Sequence, residues 1–289
     1  MRALAEFIMR GRLQAALVAA AGNLVPLLST ATVGLVALRR SSSDGLLVAA
    51  WAALPVSVIG AFSTGVNLLV AVVTLAALLV VLLGAQVLKA TVSWSASLLA
   101  CIAGTVLSVL LMQHFFSTQL AELEQALAAF FQEIARQAGQ EELMSGPSVT
   151  MLLGVIAYAT LLNVMASLLV SRWWQAMLYN PGGFRTEMHQ FRLGLYPAVL
   201  LAVAVTGCYV SQPDYLSWAS FFGLPLLMSG LCLVHYLVAN SGLGTLWLVM
   251  VYVAIVLFGP MTLLLMFVGV ADSLFNIRSR ITRKGNSGE

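Results

Sequence analysis

The chain has 289 residues, 61% of them hydrophobic and only 9% charged, with a formal net charge of +3. A soluble domain carries about 25% charged residues, so this composition excludes a water-soluble enzyme or nucleic-acid-binding module. It describes a single integral membrane domain over residues 1–289. Residues 45–113 and 193–270 each hold one formal charge, Lys89 and Asp214, over lengths several times that of one membrane crossing.

In chain order, apolar segments lie at about 13–38, 45–62, 65–88, 94–113, 147–171, 193–211, 217–239 and 244–271. In lipid a backbone must satisfy its own hydrogen bonds, so each segment is expected to be helical. The expected fold is all-α, a polytopic transmembrane bundle of about eight apolar segments. Arg2, Arg10 and Arg12 precede the first of these in the manner of a secretory signal. The apolar run continues to Leu38, far beyond a signal-peptide core, which predicts an uncleaved first membrane segment. Phe62-Ser63-Thr64-Gly65 is a short connection suited to antiparallel neighbours.

The first and last segments each contain a breaker, Asn23 with Pro26 and Gly259 with Pro260. Proline lacks a backbone donor and disfavours helix in the residue before it. Each terminal segment is therefore expected to fold as two short arms that enter and leave on one face; a kinked single span is the alternative. The distribution of cations bears on the choice. Arg39, Arg40, Lys89, Arg172, Arg185 and Arg192 lie in connections between segments, and Arg2, Arg10, Arg12, Arg278, Arg280, Arg283 and Lys284 near the ends. Single crossings throughout put these groups on opposite faces, whereas two broken segments gather them on one face. Loops rich in Lys and Arg stay in the cytoplasm, so both termini are expected there.

Residues 117–146 differ from the rest. Glu122, Glu124, Glu133, Glu141 and Glu142 face a single base, Arg136, while Leu120, Leu123, Leu127, Phe130, Phe131 and Ile134 recur at helical spacing. This predicts an acidic amphipathic helical insert outside the cytoplasm, either a lid across the outer mouth of the bundle or a solvated connector. Residues 172–192 read as a cytoplasmic interfacial loop. There Trp173 and Trp174 anchor a membrane exit, Asn180-Pro181-Gly182-Gly183 turns, and a basic amphiphilic stretch carries Arg185 and Arg192 toward a partner protein or phosphate groups. Residues 283–289 read as a disordered tail.

No catalytic signature is present: the chain lacks HExxH, a Walker A sequence, GxSxG and Cys-x-x-Cys, and His114, His189 and His235 are far apart. A non-enzyme without cofactor or bound metal is expected, and Cys101, Cys208 and Cys232 read as small buried hydrophobes. The polar side chains at membrane depth are Asn23, Ser29, Thr30, Asn67, Gln86, Asn163 and His235. Each must bond to another helix or to a ligand. Asn23, Asn67, Asn163 and His235, with Tyr158 as a stacking wall, form the candidate ligand-binding set. Ala15 and Ala19, overlapped by Ala16 and Ala20, make a small-residue strip that admits a close helix, from this bundle or from a partner.

Leu35-Val-Ala-Leu-Arg-Arg40, the run Arg172-Trp-Trp-Gln-Ala with Tyr179-Asn-Pro-Gly-Gly183, and Gly269 with Asp272, Arg278 and Arg280 together resemble the YybS-like family of bacterial polytopic membrane proteins. That family is distantly similar to the substrate-binding membrane subunits of energy-coupling-factor vitamin transporters. The resemblance implies a bacterial cytoplasmic (inner) membrane location, while the polar residues at depth, the two broken terminal segments and the lack of an energy-coupling motif set the expectation of a small-molecule-binding transport subunit without its own energy source. The resemblance also implies a membrane coupling protein or ATPase module as partner, with the Ala15 and Ala19 strip at the contact. The competing expectation is a scaffold that docks a cytoplasmic partner through residues 172–192.

Overall fold

The computed structural model describes residues 1–138, 146–242 and 244–280, and among these there is no strand. The helices are α1 (Arg2–Arg10), α2 (Arg12–Ala21), α3 (Leu28–Arg39), α4 (Ser42–Ala61), α5 (Gly65–Thr91), α6 (Trp94–Phe115), α7 (Ser117–Ala138), α8 (Val149–Tyr179), α9 (Gly183–Gln190), α10 (Leu195–Val210), α11 (Leu216–Asn240), α12 (Leu246–Leu257) and α13 (Pro260–Phe275). Five of them, α4, α5, α6, α8 and α11 with its preceding turn, are long and apolar enough to cross a membrane. α10 becomes a sixth when joined to α9, from which it bends by 67°. The chain is an all-α, membrane-spanning bundle.

Side-chain contacts show which helix ends share a face. Arg12 Nε lies 2.6 Å from Asp44 Oδ1, and Arg40 Nη2 donates to the Met9 carbonyl at 2.6 Å. Lys89 donates to the Arg40 carbonyl, and the Arg39 guanidinium sits 4.2 Å from the centre of the Tyr179 ring. Trp94 Nε1 donates to Glu187, which also pairs with Arg172 at 2.9 Å. Ser95 Oγ donates to the Arg192 carbonyl at 3.2 Å, and Arg278 donates to the carbonyl of His189. One basic face therefore gathers the starts of α2, α4, α6 and α10 and the ends of α3, α5, α8 and α13. On the opposite face, Ser217 Oγ and Trp218 Nε1 at the start of α11 donate to the carbonyls of Met151 and Thr150 at the start of α8.

Both terminal segments are hairpins. α2 begins beside the first turn of α4, the Asn23 side chain meets α4 at Ala52, and α3 returns to Arg40 beside Met9. At the other end, α12 touches α11 where His235 Nε2 and the Tyr252 hydroxyl lie 2.9 Å apart. α13 then turns parallel to α11: Met266 reaches Gly223, Gly269 lies against Leu226 and Gly230, and Arg278 sits over the Tyr236 ring. At 1.5 Å per residue, α2 and α3 are roughly 15 and 18 Å long, about half of a hydrocarbon core of roughly 30 Å. The eight apolar segments thus resolve as through-running helices flanked by two hairpins, of which the N-terminal one reaches about half depth, whereas α13, with 16 residues, is roughly 24 Å long.

α8 has 31 residues, roughly 46 Å of helix, so its last turns project beyond hydrocarbon. Residues 172–179 are therefore helix and not loop, with Trp174 turned inward at 2% exposure. α7 packs on α5 through Leu120 and its neighbours, leaving Phe130 exposed. No residue of α7 lines either of the two cavities described below. Glu141, Glu142 and the expected tail at 283–289 lie outside the described residues.

The closest helix approach is between α11 and α13, where a Cβ on Gly230 would come within 2.0 Å of the Leu265 carbonyl oxygen and one on Gly269 within 2.3 Å of that of Leu226. Backbone cannot yield as a side-chain tip can. Gly230→Ala is therefore expected to lower stability by about 1–3 kcal/mol, read as earlier thermal unfolding in detergent. Gly207→Ala, on the open face of α10 with nothing near its Cβ, is expected to leave unfolding unchanged or later, since alanine favours helix over glycine by about 1 kcal/mol.

Candidate ligand-binding site

The break between α2 and α3 places unwound backbone at mid-depth. A 3-10 turn at Gly22–Leu24 is followed by Pro26 and by Leu27, whose φ of 67° is left-handed. Such a conformation is uncommon for leucine and stores strain of order 1 kcal/mol. The turn bonds Val25 N to Gly22 O and Leu28 N to Val25 O recover part of the lost helix pattern. Asn23 closes the rest: its Nδ2 donates to the carbonyls of Ala20 at 3.1 Å and Ala52 at 2.8 Å. Pro55 lies three residues beyond Ala52 in α4, where its missing N–H leaves the adjacent Trp51 carbonyl without its helical donor.

A cavity of about 260 Å3, a little below the range of about 300–1,000 Å3 usual for ligand cavities, opens beside the hairpin tip, between it, α5 and α8. Its polar lining is Asn23, Ser29, Thr30, Thr74, Thr160 and Asn163, with no charged side chain. Thr30 Oγ1 lies 2.6 Å from Ser167 Oγ, 3.2 Å from the Leu27 carbonyl and 3.3 Å from Asn163 Oδ1. Threonine has one hydroxyl proton. That proton can serve only one of the three neighbours, and either hydroxyl of the Thr30–Ser167 pair can be the donor. Ser29, only 5% exposed, has a hydroxyl with no partner. A buried, unpaired hydroxyl costs about 1–3 kcal/mol, a deficit that a hydrogen-bonding guest would remove. The site can hold a small neutral molecule bearing both donors and acceptors.

A second cavity, about 490 Å3, lies between α8, α9, α11 and α12 nearer the basic face. Leucine and methionine dominate its walls, and its polar groups are Arg185, His189, His235 and Tyr252.

The candidate residues therefore divide. Asn23 and Asn163 meet at the first cavity, joined by Ser29 and Thr30, while His235 lines the second. Asn67 is exposed near the start of α5, and Tyr158 packs against the core, both outside the cavities. Ala15 and Ala19 are fully buried, with α2 packed on α4 and α3, so the strip serves this bundle and presents no surface to a partner. Arg185 is exposed at the rim of the second cavity; Arg192 is half-buried and uses its carbonyl to hold Ser95. Thr74 and Thr160 escaped the sequence reading because threonine in an apolar run passes as part of it. The signal for Thr160 was spacing: Thr160, Asn163, Ser167 and Ser171 fall on one stripe of α8.

Removing both Asn23 bonds leaves two carbonyls at depth without that donor, so Asn23→Ala is expected to destabilise the protein by about 1–3 kcal/mol. The measurement is the thermal unfolding midpoint in detergent, with Asn67→Ala, which lacks such bonds, expected to match the unsubstituted chain.

No family model matches this chain, and neither a curated protein nor a solved structure is significantly similar to it.

Proposed function

We propose that the chain is the membrane-embedded, small-molecule-binding subunit of a transport system, with its site at the tip of the N-terminal hairpin. The observation that carries this reading is the convergence of Asn23, Ser29, Thr30 and Asn163 on one mid-depth cavity at a helix break. Interrupted helices recur in transporter sites because unwound backbone and half-helix ends offer ligand contacts that a continuous helix withholds. The lining is uncharged, so the substrate is a neutral, hydrogen-bonding solute. The resemblance to YybS-like proteins, and through them to vitamin-binding subunits, agrees with this role and with a separate ATPase module as the energy source.

The basic face is the cytoplasmic one, in a bacterial inner membrane. The support is the clustering of Arg12, Arg40, Lys89, Arg172, Arg192 and Arg278 at one set of helix ends together with the bias of such residues toward the cytoplasm. Both termini then face the cytoplasm, and the acidic α7 the outside. The scaffold alternative is less well supported: in residues 172–192, Trp174 and Phe191 are buried and Glu187 is held by Arg172 and Trp94.

Two measurements test these statements. Native mass spectrometry of the detergent-purified protein is expected to find a retained neutral polar molecule, lost in Asn163→Leu while the unfolding midpoint stays within a few degrees. An empty wild-type protein, or equal retention by the variant, refutes the site. In a chain whose native cysteines are replaced, single cysteines at Ser43 and Gly182 are expected to react with an impermeant thiol reagent only from the cytoplasmic side. Cysteines at Ser63 and Ser211 are expected to react only from the other side, and the reverse pattern inverts the orientation.

A further inference from the structure

We propose that the second cavity is a binding site for an anionic phospholipid, with its phosphate at Arg185 and one acyl chain running into the space between α8 and α11. The polarity of the cavity is graded along the helices that wall it. On α11, Leu224 and Leu227 lie deep, whereas His235 lies near the helix end at the basic face; on α8, Leu162 is deep and Leu169 shallower. Arg185 and His189 belong to α9, which lies at that face. A molecule that fits has its polar end at the basic face and its apolar end toward mid-depth, which is how a lipid of that leaflet is already oriented.

The source is the bilayer and not the aqueous phase. The wall at α12 is a helix with no buried residue, its Val253, Val256 and Leu257 exposed to the surroundings. It is held to α11 through the His235 and Tyr252 contact. A lipid reaches the chamber sideways past that helix. At about 490 Å3 the space falls within the range of about 300–1,000 Å3 usual for ligand cavities.

The choice of an anionic headgroup rests on the local balance of charge. Glu187, two residues along α9, is already engaged with Arg172 and Trp94, and Asp272 with Arg278. Arg185 itself is exposed at the rim and makes no ion pair among the described residues. Arginine suits phosphate because its planar fork matches two phosphate oxygens.

The experiment uses the full chain in detergent, incubated with phosphatidylglycerol or phosphatidylcholine of the same acyl chains and read by native mass spectrometry. Phosphatidylglycerol is expected to be retained about fivefold more, the factor expected for one basic side chain near an anionic surface. Arg185→Glu is expected to abolish that preference. Ala166→Trp, which fills the chamber from α8, is expected to prevent retention of either lipid at an unchanged unfolding midpoint. Leu231→Trp fills it from α11 and takes the place of the first variant should that one not fold. Equal retention of the two lipids, retention by the filled variants, or displacement of the lipid by inorganic phosphate alone overturns the proposal. None of these substitutions touches the hairpin-tip cavity, so this result and the solute-binding result fail or succeed separately.

Discussion

Hydrocarbon offers no hydrogen-bond partner, so wherever a helix stops inside it the protein must supply one. That constraint organises the N-terminal third of the chain. The bond from Asn23 to the Ala52 carbonyl spans 29 residues of sequence and joins a broken helix to a proline-containing one. It satisfies a carbonyl on each of α2 and α4 with one amide. With the hairpin fixed there, Ser29 and Thr30 in the first turn of α3 are held against α8, and the gap left between tip, α5 and α8 is the polar cavity. The site follows from the way the break is sealed.

The C-terminal hairpin uses a different device. Asp272 is fully buried, yet its Oδ2 meets Arg278 Nε at 3.1 Å and its Oδ1 accepts from the Ile277 N–H at 3.1 Å. Arg278 continues to the His189 carbonyl and the face of Tyr236. Removing one partner of a buried pair typically costs about 3–5 kcal/mol, although replacing the whole pair with apolar groups can be neutral. Its role is one of placement: it pins the end of α13 to α9 and α11 at the basic face. The N-terminal hairpin is anchored at the same face by Arg12 with Asp44 and by Arg40 with the Met9 carbonyl.

Much of this was legible in the sequence, for reasons that can be named. Lipid demands apolar side chains all round a helix, so the segment pattern stood out, and Pro26 and Gly259-Pro260 marked the two breaks because proline cannot continue the bonding ladder. The gathering of cations on one face required those breaks to be hairpins, and the contacts of Arg40 and Arg278 show that they are. What could not be read was direction around each helix. Ala15 and Ala19 offer close approach to any neighbour, and only the fold shows the neighbour to be within the chain. Asn67 and Asn163 are alike in sequence, yet one points away from the bundle and the other into the cavity. Tyr158, the expected stacking wall, packs against the core and lines neither of the two cavities.

The divergence of the two cavities comes from the period of a single helix. Along α8, Thr160, Asn163, Ser167 and Ser171 advance by three or four residues and hold one stripe, turned toward α3, where Ser171 Oγ donates to the Ala31 carbonyl. Leu162, Ala166 and Leu169 advance in the same rhythm one step round and hold a stripe turned toward α11. At 3.6 residues per turn these sets cannot mix: each inserted residue in α8 would rotate the stripes by about 100° relative to their partners. The polar stripe meets the hydroxyls of α3 and the apolar stripe meets the leucines of α11, so one uninterrupted helix separates a hydrogen-bonding chamber from a greasy one. Its continuity matters for that separation, since α2 with α3 and α12 with α13 are both broken and the division between them rests on α8 being whole.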